Sequence, residues 1–124
     1  MTEFSTEQPA PELLAIRNAE RNILKTTTLT PKIADSLGRT LVEAQHDYYL
    51  LYRAKHPDTA LINEDIKRYE DVLNADDAGE TLGNHLKKRA EGMKMDPAWI
   101  LRDDEMRDFP DKLLQLAETI GQSR

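Results

Sequence analysis

Residues 30–56 read TPKIADSLGRTLVEAQHDYYLLYRAKH and carry the strongest helical signal of the chain. Thr30 is a favourable N-cap, and Pro31 stands at the first helical position, where the missing N–H of proline leaves no hydrogen bond unmade. Apolar side chains then recur at steps of three or four residues, as on one face of a helix. The members of this stripe are Ile33, Leu37, Leu41, Ala44, Tyr48 and Leu51. The spacing predicts one long helix whose stripe faces the core.

Shorter helical segments precede and follow this long helix. Apolar periodicity and capping residues predict four of them. They cover approximately residues 12–25, 62–73, 80–91 and 108–120. The second of these takes Asp58 or Asn63 as its cap, and the third ends at Gly92. A further short turn with Trp99 follows Asp96-Pro97, which resembles a second cap-plus-proline start.

The composition favours helix over strand throughout the chain. It contains 16 Leu and 12 Ala but only two Val, and Leu and Ala are strong helix formers, whereas β-branched residues favour strands. A chain of 124 residues with 39% hydrophobic composition can build one core but not two. We therefore predict an all-α fold. It is a single-domain helical bundle of five to six helices over residues 12–121, built around the long helix at about 30–56.

Residues 1–11 precede the predicted bundle and are acidic and polar, with Pro9 and Pro11 at their end. We interpret them as a disordered acidic N-terminal arm. They show neither the basic nor the apolar region of a signal peptide, which favours a cytoplasmic location, and we expect no membrane association. The net charge of −6 disfavours nucleic acid as a partner, since indiscriminate binders of nucleic acid rely on Lys and Arg to contact phosphates.

The sequence offers no complete set of catalytic or cofactor-binding residues. It has no cysteine, and a nucleophilic serine would need a base held within hydrogen-bond reach. Glu43 and His46 have the Glu-x-x-His spacing of di-iron bundles, but no second such pair exists. We therefore expect no enzyme activity, no cofactor and no metal. A small metal-dependent helical enzyme stays an alternative, and it requires other carboxylates to converge on His46.

A helix-turn-helix is a second alternative for residues 30–53. Gly38 could form the turn between two crossed helices, and Ile33 and Leu37 would then pack the first of them. The following helix offers Glu43 and Asp47 to the DNA and no cation before Arg53, and acidic side chains repel phosphates. A small DNA-associated regulator therefore requires a turn at residues 36–40, whereas the long helix requires none.

The run Tyr-Tyr-Leu-Leu-Tyr at residues 48–52 is the feature that best indicates a function. Five consecutive large side chains on a helix cover every direction, so they cannot all face one small core. We expect Tyr48, Leu51 and Tyr52 to continue the core-facing stripe and Tyr49 and Leu50 to face another surface. Either a second layer of helices covers that surface, or a partner binds there, since tyrosine is enriched at protein interfaces.

An interaction function fits these residues better than a catalytic one. We expect a non-catalytic α-helical protein-protein interaction module, such as an adaptor, an inhibitor or an assembly subunit, which binds another protein or a second copy of itself. The residues assigned to partner binding are Tyr48, Tyr49, Leu50, Tyr52 and Arg53. The basic cluster at residues 87–89 is interpreted as the solvated face of its helix.

Overall fold

The computed structural model describes residues 11–57, 61–77, 79–96 and 107–121. These residues form five α-helices and no strand. In chain order the helices are α1 (Pro11–Lys25), α2 (Pro31–Lys55), α3 (Leu61–Asn74), α4 (Glu80–Lys94) and α5 (Phe109–Gly121). The predicted all-α helical bundle is confirmed. The predicted arm up to residue 10, the Asp58 cap and the turn at Trp99 lie outside the described residues, and Asn63 lies inside α3 instead of capping it.

Helix α2 is the central element of the bundle, because it packs against each of the other four described helices. Its start is as predicted: the Thr30 hydroxyl accepts a hydrogen bond of 3.2 Å from the backbone N–H of Ile33, and Pro31 follows the cap. The helix then runs without a break from Pro31 to Lys55. Residues 36–40 therefore form no turn, and the helix-turn-helix prediction for residues 30–53 is wrong.

The face that α2 turns to the core differs from the predicted stripe. Its buried residues are Ala34, Gly38, Leu41, Val42, Ala44 and Gln45. Ile33 and Leu51, the two ends of the predicted stripe, are 39% and 41% exposed. Leu41 and Ala44 of the predicted stripe are buried as predicted, but the other buried residues each follow a stripe residue by one position. The buried face is therefore rotated by part of the roughly 100° that one residue covers around the helix axis.

The displacement arises from a close approach of the α2 backbone to α4 and α5. A Cβ atom added to Gly38 would lie 2.8 Å from Cδ1 of Leu86 and 3.5 Å from Cδ1 of Ile120. Glycine leaves room for the terminal methyl groups of Leu86 and Ile120, whereas a residue with a Cβ would collide with that of Leu86. Gly38 is therefore a packing position, although glycine inside a helix costs about 1 kcal/mol relative to alanine.

The most extensive helix packing joins α4 to α5. Each of these helices contributes a row of nearly or fully buried apolar side chains to the core. The rows are Leu82, Leu86 and Ala90 on α4, and Phe109, Leu113, Leu116 and Ile120 on α5. Ala19 and Ile23 of α1 and Tyr69 and Val72 of α3 complete the same core. The core therefore lies between α2 and the α4–α5 pair.

The turn from α3 to α4 depends on Asp77 and Gly79. Gly79 has a φ of +85°, a conformation that residues with a Cβ rarely adopt. The Asp77 carboxylate accepts hydrogen bonds from the backbone N–H and the hydroxyl of Thr81, and these bonds lower the pKa of Asp77. Helix α4 then continues through Gly92 to Lys94. The prediction that it ends at Gly92 is wrong, because Gly92 keeps a right-handed helical backbone.

We expect Gly38→Val and Gly92→Ala to change stability in opposite directions. Gly38→Val forces branched atoms against Leu86, so it lowers the free energy of unfolding by about 2 kcal/mol or more. Gly92 has nothing within 4 Å of an added Cβ, so Gly92→Ala raises the free energy of unfolding by about 0.5–1 kcal/mol. Urea unfolding followed by circular dichroism measures both. A Gly38→Val chain as stable as the native one contradicts the close approach.

Candidate partner-binding surface

The five residues predicted to bind a partner lie on the last two turns of α2. Tyr48, Tyr49 and Leu50 are half-buried, and Tyr49 packs against the core. Tyr52 is 38% exposed, and Arg53 is exposed as well. The prediction that Tyr52 faces the core and Tyr49 faces outward is therefore wrong. The displaced buried face of α2 is the reason, since Tyr49 follows Gln45 at a step of four residues.

The end of α2 is exposed in every direction. All residues from Leu51 to Pro57 are exposed, and five consecutive helical positions point all around the helix axis. The Arg53 guanidinium donates a hydrogen bond of 3.1 Å to the side-chain oxygen of Asn63 and so ties this end to the start of α3. We call residues 51–56 the helix tip. It combines the apolar surface of Leu51 and Tyr52 with the cations of Arg53 and Lys55.

A continuous series of aromatic rings connects the helix tip to the interior. Successive ring centroids along the series lie 4.4, 6.5, 5.7, 5.5 and 5.6 Å apart, distances typical of interacting aromatic pairs. The rings, in order, are His56, Tyr52, Tyr48, Tyr49, Tyr69 and His85. All four tyrosines of the sequence belong to it. The series therefore joins α2, α3 and α4 at one end of the bundle.

Tyr69 is the buried member of this series, with 2% of its surface exposed. Burial, together with the smaller effect of the neighbouring Tyr49, raises the pKa of its hydroxyl to about 12. The phenol therefore stays protonated at neutral pH. Its ring contacts the ring of Tyr49 and, in a T-shaped arrangement, the ring of His85.

His85 has an unusual environment for a histidine. Its Nε2 atom is buried and has no hydrogen-bond partner, the one such side-chain atom among the described residues. Burial, together with the smaller effect of the positive charges of Arg89 and Arg68, lowers the pKa of the ring to about 4. His85 is therefore neutral at physiological pH. An unsatisfied buried polar atom costs roughly 1–3 kcal/mol.

A cleft of about 560 Å³ lies beside His85, between α3 and α4. Its walls carry the cations of Arg68, Lys88 and Arg89 and one carboxylate, that of Asp96. Arg68 forms an ion pair of 2.9 Å with Asp65, whereas no carboxylate of the described residues forms an ion pair with Lys88 or Arg89. The cleft is therefore a region of positive charge on an acidic chain.

A second cleft, of about 250 Å³, lies on the other side of Tyr69, among α1, α2 and the same part of α4. Arg17, Glu20 and Gln45 are among its lining residues. Both clefts are lined by Tyr69, Arg89 and Met93, so they lie side by side. We call the two clefts together the basic groove.

The basic groove was not predicted from the sequence. Lys88 and Arg89 are exposed, as expected of a solvated helix face. The missed signal is the spacing of His85, Lys88 and Arg89, because positions i, i+3 and i+4 share one face of a helix. The contribution of Arg68 could not be read from this spacing, since α3 and α4 meet only in the folded chain.

Glu43 and His46, the pair considered for the alternative of a metal-dependent enzyme, do not contact each other. His46 Nε2 lies 3.0 Å from Oε2 of Glu70 on α3, while Glu43 is exposed. No group of three or more His, Asp or Glu side chains within the described ranges is arranged to hold a metal ion. A metal-dependent enzyme would require several carboxylates close to His46, and the described residues do not provide them.

Comparison of the chain with protein-family models, with curated proteins and with solved structures finds no match. Across the described helices, none is both long and apolar enough to cross a membrane.

We expect His85 to make the stability of the chain fall in mild acid. The folded-state pKa of His85 is about 4, whereas an unperturbed histidine has a pKa of about 6.5. Between these two values the unfolded chain takes up a proton that the folded chain does not, so the free energy of unfolding falls as the pH drops from about 6.5 to about 4.

The matched variant for this prediction is His85→Phe, which keeps a ring against Tyr69 and removes the titrating group. Urea unfolding of both chains at several pH values gives the free energy of unfolding of each. Because the two chains have the same carboxylates, the difference between their pH profiles reports His85 alone. The native chain is expected to lose more stability than the variant over this range. If the free energies of unfolding of the two chains change with pH in parallel, the loss of stability does not come from His85.

Proposed function

We propose that the protein is a non-catalytic α-helical protein-binding module and that it contacts its partner through the helix tip. The observation that carries the proposal is the exposure of Leu51 and Tyr52, at 41% and 38%, on a helix end that is exposed all around. Tyrosine is favoured at interfaces because it buries a large apolar ring and keeps a polar hydroxyl. An adaptor, an inhibitor or an assembly subunit uses a surface of this kind.

The charges of the helix tip indicate the chemistry of the partner. Arg53 and Lys55 lie in the last turn of α2 and are exposed, and no carboxylate lies between Leu51 and His56. Complementary potentials orient two proteins and raise their rate of association. The partner is therefore a different protein whose apolar contact surface is surrounded by acidic side chains. We also propose that the protein meets this partner in the cytoplasm, the location expected from the sequence.

Site-specific photo-crosslinking in the native cell tests the proposal. A photoactivatable phenylalanine analogue is placed at position 52, and the control chain carries it at position 71, because Asp71 is exposed and lies away from the tip. We expect an adduct between the chain and a different protein from position 52 and none from position 71. Adding Leu51→Ser to the first chain is expected to reduce the adduct about tenfold, a change of about 1.4 kcal/mol in binding.

The thermal unfolding of the Leu51→Ser chain serves as the folding control, since replacing an exposed residue leaves stability nearly unchanged. Three outcomes contradict the proposal. The first is the absence of an adduct from position 52, and the second is an equal adduct from position 71. The third is an adduct with twice the mass of the chain alone, because the tip then binds a second copy instead of a different protein.

A further inference from the structure

We propose that the basic groove is a binding site for an acidic peptide segment, in which carboxylates of the ligand contact Arg68, Lys88 and Arg89 and an apolar side chain contacts Met93. The inference rests on the proposed function in one respect, namely that the ligand is a segment of a protein. It assigns the partner a second point of contact, at the end of the bundle where the aromatic series also runs.

The charge of the groove is the first argument. The chain as a whole has a net charge of −6, yet three cations and one carboxylate line the cleft beside His85, and of these cations only Arg68 is paired among the described residues, with Asp65. Lys88 and Arg89 are exposed and form no ion pair within the described part of the chain. Arginine presents a planar donor set that matches a carboxylate in two parallel hydrogen bonds. A carboxylate ligand thus finds partners that the protein itself does not occupy.

The shape of the groove is the second argument. The two clefts, of about 560 and 250 Å³, lie side by side along Tyr69, Arg89 and Met93. The partly buried Met93 offers a flexible apolar contact that adapts to different side chains. A single small anion fills a small part of this space, whereas a peptide with several carboxylates and one apolar residue uses both the cations and the apolar surface.

His85 provides a spectroscopic signature of occupancy. The groups that face it are Arg68 and Tyr69 of α3, Arg89 of α4, and the other charged residues of the cleft, Lys88 and Asp96. Carboxylates bound to the cations offset the positive charge that disfavours protonation of the ring. The imidazole resonances of His85 are therefore expected to move on binding, and the pKa of His85 is expected to rise.

The test measures binding of a fluorescein-labelled peptide of seven glutamates with one central phenylalanine to the full chain, by fluorescence anisotropy at low salt. A second peptide has glutamine in place of every glutamate. Lys88→Glu and Arg89→Glu are each expected to weaken binding of the acidic peptide about tenfold. The control is Lys87→Glu, which makes the same charge change at an exposed neighbour outside the groove and is expected to change binding less than about twofold.

Circular dichroism and thermal unfolding show whether each variant folds, and Arg89→Gln repeats the test with a smaller change. The inference is overturned if the acidic peptide does not bind, if the glutamine peptide binds equally well, or if Lys87→Glu weakens binding as much as Arg89→Glu. It is also overturned if inorganic phosphate displaces the peptide as effectively as unlabelled peptide does, because the site then takes any small anion. Crosslinking from position 52 is measured separately, so a failure of the groove and a failure of the helix tip are distinguished.

Discussion

The rest of the structure depends on the close approach of the α2 backbone to α4 and α5 at Gly38. An added Cβ there would lie 2.8 Å from the tip of Leu86, and Ala34, one turn earlier, is fully buried as well. The small residues Ala34 and Gly38 thus lie on the buried side of α2, and Gly38 is the point where this helix meets α4 and α5. Interiors are packed at crystal-like density, so this contact determines the rotation of α2 about its own axis.

That rotation determines which aromatic side chains are buried at the other end of the helix. Tyr49 lies on the buried side and meets Tyr69, whereas Leu51 and Tyr52 are 41% and 38% exposed. A chain with modest hydrophobic content leaves two large apolar residues exposed at the end of its longest helix. The helix tip therefore follows from the packing at Gly38, about four turns away along the same helix.

The basic groove follows from the pairing of α3 with α4 and from the position of α1. Arg68 and Tyr69 come from α3, and His85 and Arg89 come from α4. Burial against Tyr69 keeps the His85 ring neutral at physiological pH, and the cations beside it act in the same direction. Arg68 is paired with Asp65, but Lys88 and Arg89 form no ion pair within the described part of the chain. Such an arrangement costs folding energy through repulsion and desolvation, and binding of an acidic ligand would recover part of it.

The helical class, the long helix with its Thr30-Pro31 start and most helix boundaries were predictable from local sequence, because capping and propensity act within a few residues. The orientation of each helix was decided only by the tertiary structure. Counting large apolar residues placed Ile33 and Leu51 inside, since it overlooked the small residues Ala34 and Gly38 that allow close packing. The sequence indicated residues 48–53 as a group of candidate binding residues, but which of them are exposed depends on the packing of α2 in the folded chain. The basic groove is formed by side chains from separate helices, so a local sequence pattern cannot predict it.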